Sequence, residues 1–447
     1  MTVRLTWVQP EDLVGHELRQ ASQDGRDAGD AARRWYAAGG APAPERAGAS
    51  EPSAPRRLRA LAGQILDELA SLESPLAGDE PTGLSAIRAA CPRWPAPRGR
   101  PVSFGPDRLH AAWLGRAVGC LLGKPVEKLP LEGIRALARA TGNWPLTTWF
   151  TARGLPAELA AAHPWNRRSA PTSLAENIDG MPEDDDLNHP LLTVLLLQRH
   201  GRGFSTSDLA RLWLDELPAG RVFTAERVAY RNLLDGIEPP DTARHRNPFR
   251  EWIGAQIRAD VHGWTHPGDP GAAAEQAHRD AVLTHTANGV YGAMFTGGET
   301  DVHGCLAAGL RVVPPRSRYA HAVRLGIRAA RAEADFDTVV DRLHDTYGST
   351  HHWVHVLPNA ALLAAALTHA DGDFGRSIGC AVSGGWDTDS NGATAGSLAG
   401  LLAGRAAALP AHWTAPLKNR LATSVPGFGS IGFDTLAELT YQEVRRP

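Results

Sequence analysis

The sequence predicts an all-α protein. Three observations point there. Apolar residues recur at three- and four-residue steps in several segments, small residues recur at the same spacing near the C-terminus, and alternating runs of Val, Ile and Thr are scarce.

Taken in order, the first amphipathic segment is Arg57 to Ala70, where Leu58, Leu61, Ala62, Ile65 and Leu69 fall on one side of a helix. The stretch before it, 39–55 (GGAPAPERAGASEPSAP), reads as a flexible linker, because Pro, Gly and Ser offer no face to bury. A second Pro-rich stretch, Cys91 to Pro106, marks the expected boundary between an N-terminal helical extension (1–105) with Pro/Gly-rich linkers and a larger domain (106–447). Within that domain Leu191 to Leu197 is a strongly apolar helix core, and 359–369 (NAALLAAALTH) has the Ala and Leu content of a helix interior. Residues 393–408 (ATAGSLAGLLAGRAAA) carry small residues three and four apart, which permits close approach of a second helix.

Composition excludes several classes. Of the 447 residues, 43% are hydrophobic, enough for a sizeable core. The net charge of -3, with no basic stripe, argues against nucleic acid as a partner. Cys91, Cys120, Cys305 and Cys380 form no C-x-x-C pair, which disfavours a disulfide framework or zinc ribbon and suggests a reducing, cytoplasmic setting. Met1 to Glu11 lacks the pattern of a secretory leader, and no apolar run suits a bilayer, so a membrane is not an expected partner. The oligomeric state is open.

Two acidic constellations carry the chemistry. In 383–391 (SGGWDTDSN), Asp387 and Asp389 lie two residues apart, a spacing that does not bring side chains together on a regular helix but can in a turn. The preceding glycines permit such a turn, and oxygen-rich turns suit hard cations. In 181–190 (MPEDDDLNHP), four acids precede an apolar helix. The ordinary reading of such a run is a solvated N-cap, favoured by the helix dipole. Paired with the first constellation, it reads instead as half of a metal site at the mouth of a helical bundle.

At these residues the sequence resembles the ADP-ribosylglycohydrolase family, which includes the dinitrogenase reductase-activating glycohydrolases. The resemblance is carried by 115–127 (GRAVGCLLGKPVE), 182–188 (PEDDDLN), 285–295 (HTANGVYGAMF) and 384–396 (GGWDTDSNGATAG), in that order. It is extended by 247–252 (NPFREW) and 314–318 (PPRSR). It implies an all-helical bundle from Asp107 onward, a catalytic domain over 106–447, and a centre of two magnesium or manganese ions. It also implies hydrolysis of a ribosyl glycosidic bond in an ADP-ribosylated protein or small molecule.

The family's Thr-Asp-Asp motif falls on Glu183, Asp184 and Asp185, and its Asp-x-Asp-Thr motif on Asp387, Asp389 and Ser390. The resemblance therefore implies these six as metal ligands, with Glu183 or Asp185 taking the proton of the attacking water. Glu127, His285, Asn288, Tyr291, Gly292 and Trp386 are expected to line the substrate cleft. A satisfied core histidine is an equal reading of His285, and a structural role an equal reading of Glu127.

Departures from the family pattern are Glu183 for a hydroxyl residue, Cys120 where an Asp is common, and Gly123 near the place of a Glu that some members present. Cys120 reads as a small buried hydrophobe. His351 and His352 lack a carboxylate or thiol at zinc spacing. Two other functions fit these departures: hydrolysis of a small N-glycoside or nucleoside-type metabolite, as in secondary metabolism, and a catalytically inactive module that binds ADP-ribose or metal.

Overall fold

A computed structural model describes residues 4–44, 53–96, 105–295 and 301–446. The rest of both Pro-rich stretches, 45–52 and 97–104, lies outside the described residues. The fold is all-α. Among the described residues no strand forms, and pairing of extended backbone is confined to isolated bridges such as Met181 with Leu421.

Among the described residues, a short helix over Leu84–Ala90 and three longer ones precede the second Pro-rich stretch, the longer ones being α1 (Pro10–Gln23), α2 (Gly29–Ala37) and α3 (Arg56–Ala70). Pro10 opens α1 at a position where its missing N–H costs nothing, and Glu11 and Asp12 follow in the first turn. The apolar face expected on the third segment is buried at Ala62, Ile65 and Leu69. It closes on a cluster that mixes Leu13, Val14 and Trp35 with Val228, Phe249, Trp252 and Ile257. Residues on either side of the expected boundary therefore bury one another.

The centre of the bundle is α4 (Pro106–Gly123), buried along most of its length. Residues Gly115, Gly119 and Gly123 recur every fourth position and face α10 (Thr388–Ala403). A Cβ built on Gly115 would lie 2.1 Å from the Gly396 carbonyl oxygen, and one on Gly119 1.8 Å from that of Gly392. One on Gly123 would lie 2.3 Å from Thr388 backbone atoms. The pairs run in opposite directions along the two helices, so the C-terminus of α4 meets the N-terminus of α10. Thr388 Oγ1 locks that end by donating to the Gly123 carbonyl at 2.8 Å. The small-residue segment read from the sequence thus begins its helix earlier, at Thr388, and ends at Ala403. There Gly404 (φ 83°) terminates it in the left-handed region.

Five further helices frame the site: α5 (Asp185–His200), α6 (Ala287–Met294), α7 (Arg318–Ala332), α8 (Val356–Ala370) and α9 (Phe374–Ser383). Pro190 lies inside α5. It has no N–H to give the Asp186 carbonyl one turn earlier. That freed carbonyl accepts Arg116 Nε at 2.6 Å, which ties α5 to α4.

Candidate active site

The first acidic turn is both cap and cluster. Asp184 is the N-cap of α5, and its Oδ1 accepts the Asp186 N–H at 2.9 Å. The other oxygen is ion-paired with the Lys124 ammonium, just beyond α4, and both side chains are almost wholly buried. Asp186 Oδ1 accepts from Arg116 Nη2 at 3.2 Å, and Arg116 itself is fully buried. Glu183 sits further out. It accepts from Asn188 Nδ2 at 3.2 Å and pairs with Arg221 at 3.3 Å.

The second acidic turn is strained and held. Gly385 (φ 78°) and Trp386 (φ 58°) both adopt left-handed backbone, a costly state for a tryptophan. The Trp386 ring lies flat on His344, with centroids 4.1 Å apart, and His344 Nε2 is 2.8 Å from the Gly384 carbonyl oxygen. The Asp387 N–H donates to Asn359 Oδ1 at 3.2 Å, and Asn391 Nδ2 donates to the same oxygen at 2.7 Å. Asp387 is the N-cap of α10 and Asp389 lies in its first turn, so the two acids straddle a helix start and do not share an irregular loop.

The two turns, two hundred residues apart in sequence, meet. Ser390 Oγ donates to Asp186 Oδ2 at 3.3 Å. Burial pushes the Asp389 carboxyl up to about 7, and the charges of Glu127 and Asp184 add to the effect. Burial, then neighbouring carboxylates, also push Asp185, Asp186 and Asp387 well above the usual carboxylate range. Asp184 goes the other way: burial raises it, but the Lys124 ammonium outweighs burial and holds it low. The cluster is short of positive charge. Its donors are hard oxygens, and that combination fits a magnesium or manganese ion. The Cys120 thiol, buried as expected, is not merely packed there. Ligand atoms of Cys120, Asp184 and Asp186 lie within 4.8 Å of one another, and among the described residues this is the grouping with metal-ligand spacing. The histidines at 351 and 352 form no such group.

Of the expected cleft residues, Glu127 and Trp386 lie with the acids. Glu127 accepts from Asn166 Nδ2 at 2.7 Å and pairs with Lys128 at 2.9 Å, and its charge is felt by both Asp387 and Asp389. The other four are engaged elsewhere. His285 is fully buried beside Thr284, at 2.6 Å, and Glu226. Asn288 donates to Glu80 at 2.8 Å and to Glu251 at 3.0 Å. Tyr291 donates to the Pro81 carbonyl at 2.6 Å, and Gly292 packs against Val356 and Gln256. None of these partners belongs to the acid cluster. Sequence reasoning passed over Lys124 and Arg116, and it counted Asp186 among the four acids of the turn without a ligand role of its own. The first two stand inside the 115–127 motif, and their charge within an otherwise apolar helix end was the available signal.

The ADP-ribosylglycohydrolase family profile matches residues 103–444. The chain belongs to this family. Membership supports a glycoside hydrolase, and both acidic turns lie within the matched region. No curated protein matches the chain. A solved structure titled "ADP-ribosylglycohydrolase-related protein complex" is similar at 18% identity, covering 76% of this chain and 98% of that one, with a TM-score of 0.40.

Proposed function

We propose that this glycohydrolase is divalent-cation-dependent and cleaves the ribosyl glycosidic bond of an ADP-ribosylated substrate. The observation that carries the reading is the convergence of two distant acidic turns on one buried cluster, joined by the Ser390–Asp186 hydrogen bond. Asp185, Asp387 and Asp389 are the principal candidate ligands, with Glu183, Asp184 and Ser390 around them. When bound, a divalent cation supplies Lewis acidity that polarises oxygen atoms and eases loss of a water proton near neutral pH.

The chain's own groups would do the rest. Trp386 and Glu127 border the acids and would hold the ribose, with the Glu127 carboxylate accepting from a sugar hydroxyl. Water attacks the anomeric carbon, the bond to the leaving nitrogen or oxygen breaks through an oxocarbenium-like transition state, and the leaving atom takes up a proton. The water's proton goes to Asp185 rather than Glu183, because Glu183 is already engaged by Asn188 and Arg221. A cytoplasmic setting is supported by the lack of any disulfide among the four cysteines. Among the described residues no helix is long and apolar enough to cross a membrane.

The test is incubation with ADP-ribosyl-arginine, ADP-ribosyl-serine and a nucleoside panel, with magnesium or manganese. Release of ADP-ribose is expected. Release of free base or ribose would move the substrate to small N-glycosides, and tight binding without turnover would make the chain a binding module. Either result overturns the proposal.

A further inference from the structure

We propose that Lys124 stands in for one divalent cation, so that the acidic centre holds a single metal ion. The inference rests on the metal-dependent reading above and narrows it.

The grouping of Cys120, Asp184 and Asp186 has the spacing of a cation site. The cation seated on it is the Lys124 ammonium, bonded to Asp184 Oδ2. Both Asp184 oxygens are engaged, Oδ1 by the Asp186 N–H and Oδ2 by Lys124. Asp186 is also committed, with Oδ1 on Arg116 and Oδ2 on Ser390. Two of the five aspartates in the two turns are thus paired with the chain's own cations. Among the described residues no Lys or Arg is ion-paired with the remaining three.

Lys124 is poorly placed to swing away. Its side chain is 9% exposed. Its own N–H is bonded to the Cys120 carbonyl. Gly123 before it is pressed against Thr388, and Pro125 after it has a fixed φ. An ammonium held there repels a second cation on the same carboxylate.

Manganese alone decides the matter. Chelator-treated, dialysed protein is titrated with Mn²⁺ by calorimetry, and bound metal is counted by elemental analysis. One ion per chain is expected, with the six-line spin-resonance spectrum of an isolated ion. Lys124→Met should bind two, with the spectrum of a coupled pair, and Lys124→Arg, which keeps the charge, should bind one. Two ions in the unaltered protein would overturn the inference while leaving metal dependence intact. No ion would overturn both. One ion in both the unaltered protein and a Lys124→Met variant with unchanged circular dichroism would overturn the role given to Lys124.

Discussion

Gly119 of α4 and Gly392 of α10 meet backbone against backbone, so closely that a single methyl on Gly119 would lie 1.8 Å from the Gly392 carbonyl oxygen. The clash is with main chain, which cannot rotate aside. Gly119→Val should therefore exceed the usual range for an overpacked core and cost about 3 kcal/mol or more. Urea denaturation would measure this, and a variant as stable as the parent would contradict the packing described. The same contact aligns Lys124 with the acids, so residual folded protein should also lose manganese affinity.

Asp387→Ala combined with Asp389→Ala should abolish manganese binding while leaving helicity unchanged. Activity should fall by roughly a thousandfold or more, because metal assistance supplies several kcal/mol and each 1.4 kcal/mol is tenfold. Excess chelator should reproduce the loss in the unaltered protein. Calorimetry and turnover assays check both, and full activity in chelator would exclude the metal.

The raised carboxyls give a signed pH dependence. Asp389 is pushed from its ordinary value near 3.8 up to about 7 by burial, then by Glu127 and Asp184. A raised carboxyl favours the protonated native state. Its contribution is complete below pH 3.8 and is lost as pH rises through about 7. Asp185 and Asp387 act in the same direction. Buried histidines such as His16 and His189, held down to about 3 by burial, act in the opposite direction as pH rises through 6.5, so the acids are isolated through the effect of the metal. Manganese, which replaces the protons, should raise the melting temperature more at pH 8 than at pH 5. Equal shifts at the two pH values would contradict this. Glu17, held low by Arg250 and Arg26 despite its burial, acts only in acid, below the window tested.

Glu80 should prove essential to the docking of the first three helices. It bonds Arg318 at 2.6 Å and Asn288 at 2.8 Å, and Arg318 in turn holds Glu251 at 2.9 Å. Removing one member of such a buried group leaves the others uncompensated, at about 3 kcal/mol. Glu80→Ala should lower the denaturation midpoint and speed hydrogen exchange in α1 and α3. We further propose that 1–105 is an extension bracing this wall of the enzyme, so a chain starting at residue 106 should expose Phe249 and Trp252 and aggregate.

Much of this was legible in the sequence. Helical periodicity marked α3, α5 and α8, and the spacing of small residues around Gly396 announced a close helix contact. Its partner was not announced, because periodicity says which face is buried and not against what. Lys124 lies 60 residues from Asp184, and Arg116 lies 70 from Asp186. Such pairs exist only once the register of α4 and α5 is set. The 285–295 motif was silent about its partners for a related reason. A polar residue at a helix start, such as Asn288, looks the same whether it faces a cleft or a glutamate 208 positions earlier. Reading 39–55 as a linker and 91–106 as a boundary rested on composition, which does not say that the helices between them fold onto the rest of the chain.

The Glu80–Arg318 pair spans 238 residues, and that span has a consequence for synthesis. A ribosome adding about 5–20 residues per second takes on the order of ten to fifty seconds to get from one partner to the other. Over that interval the apolar faces that bear Leu13, Trp35 and Leu66 have only one another to close on, since Val228, Phe249 and Trp252 emerge late. The start of the chain is therefore among the last parts to reach its final place, and in the nascent protein it is a natural client for a chaperone.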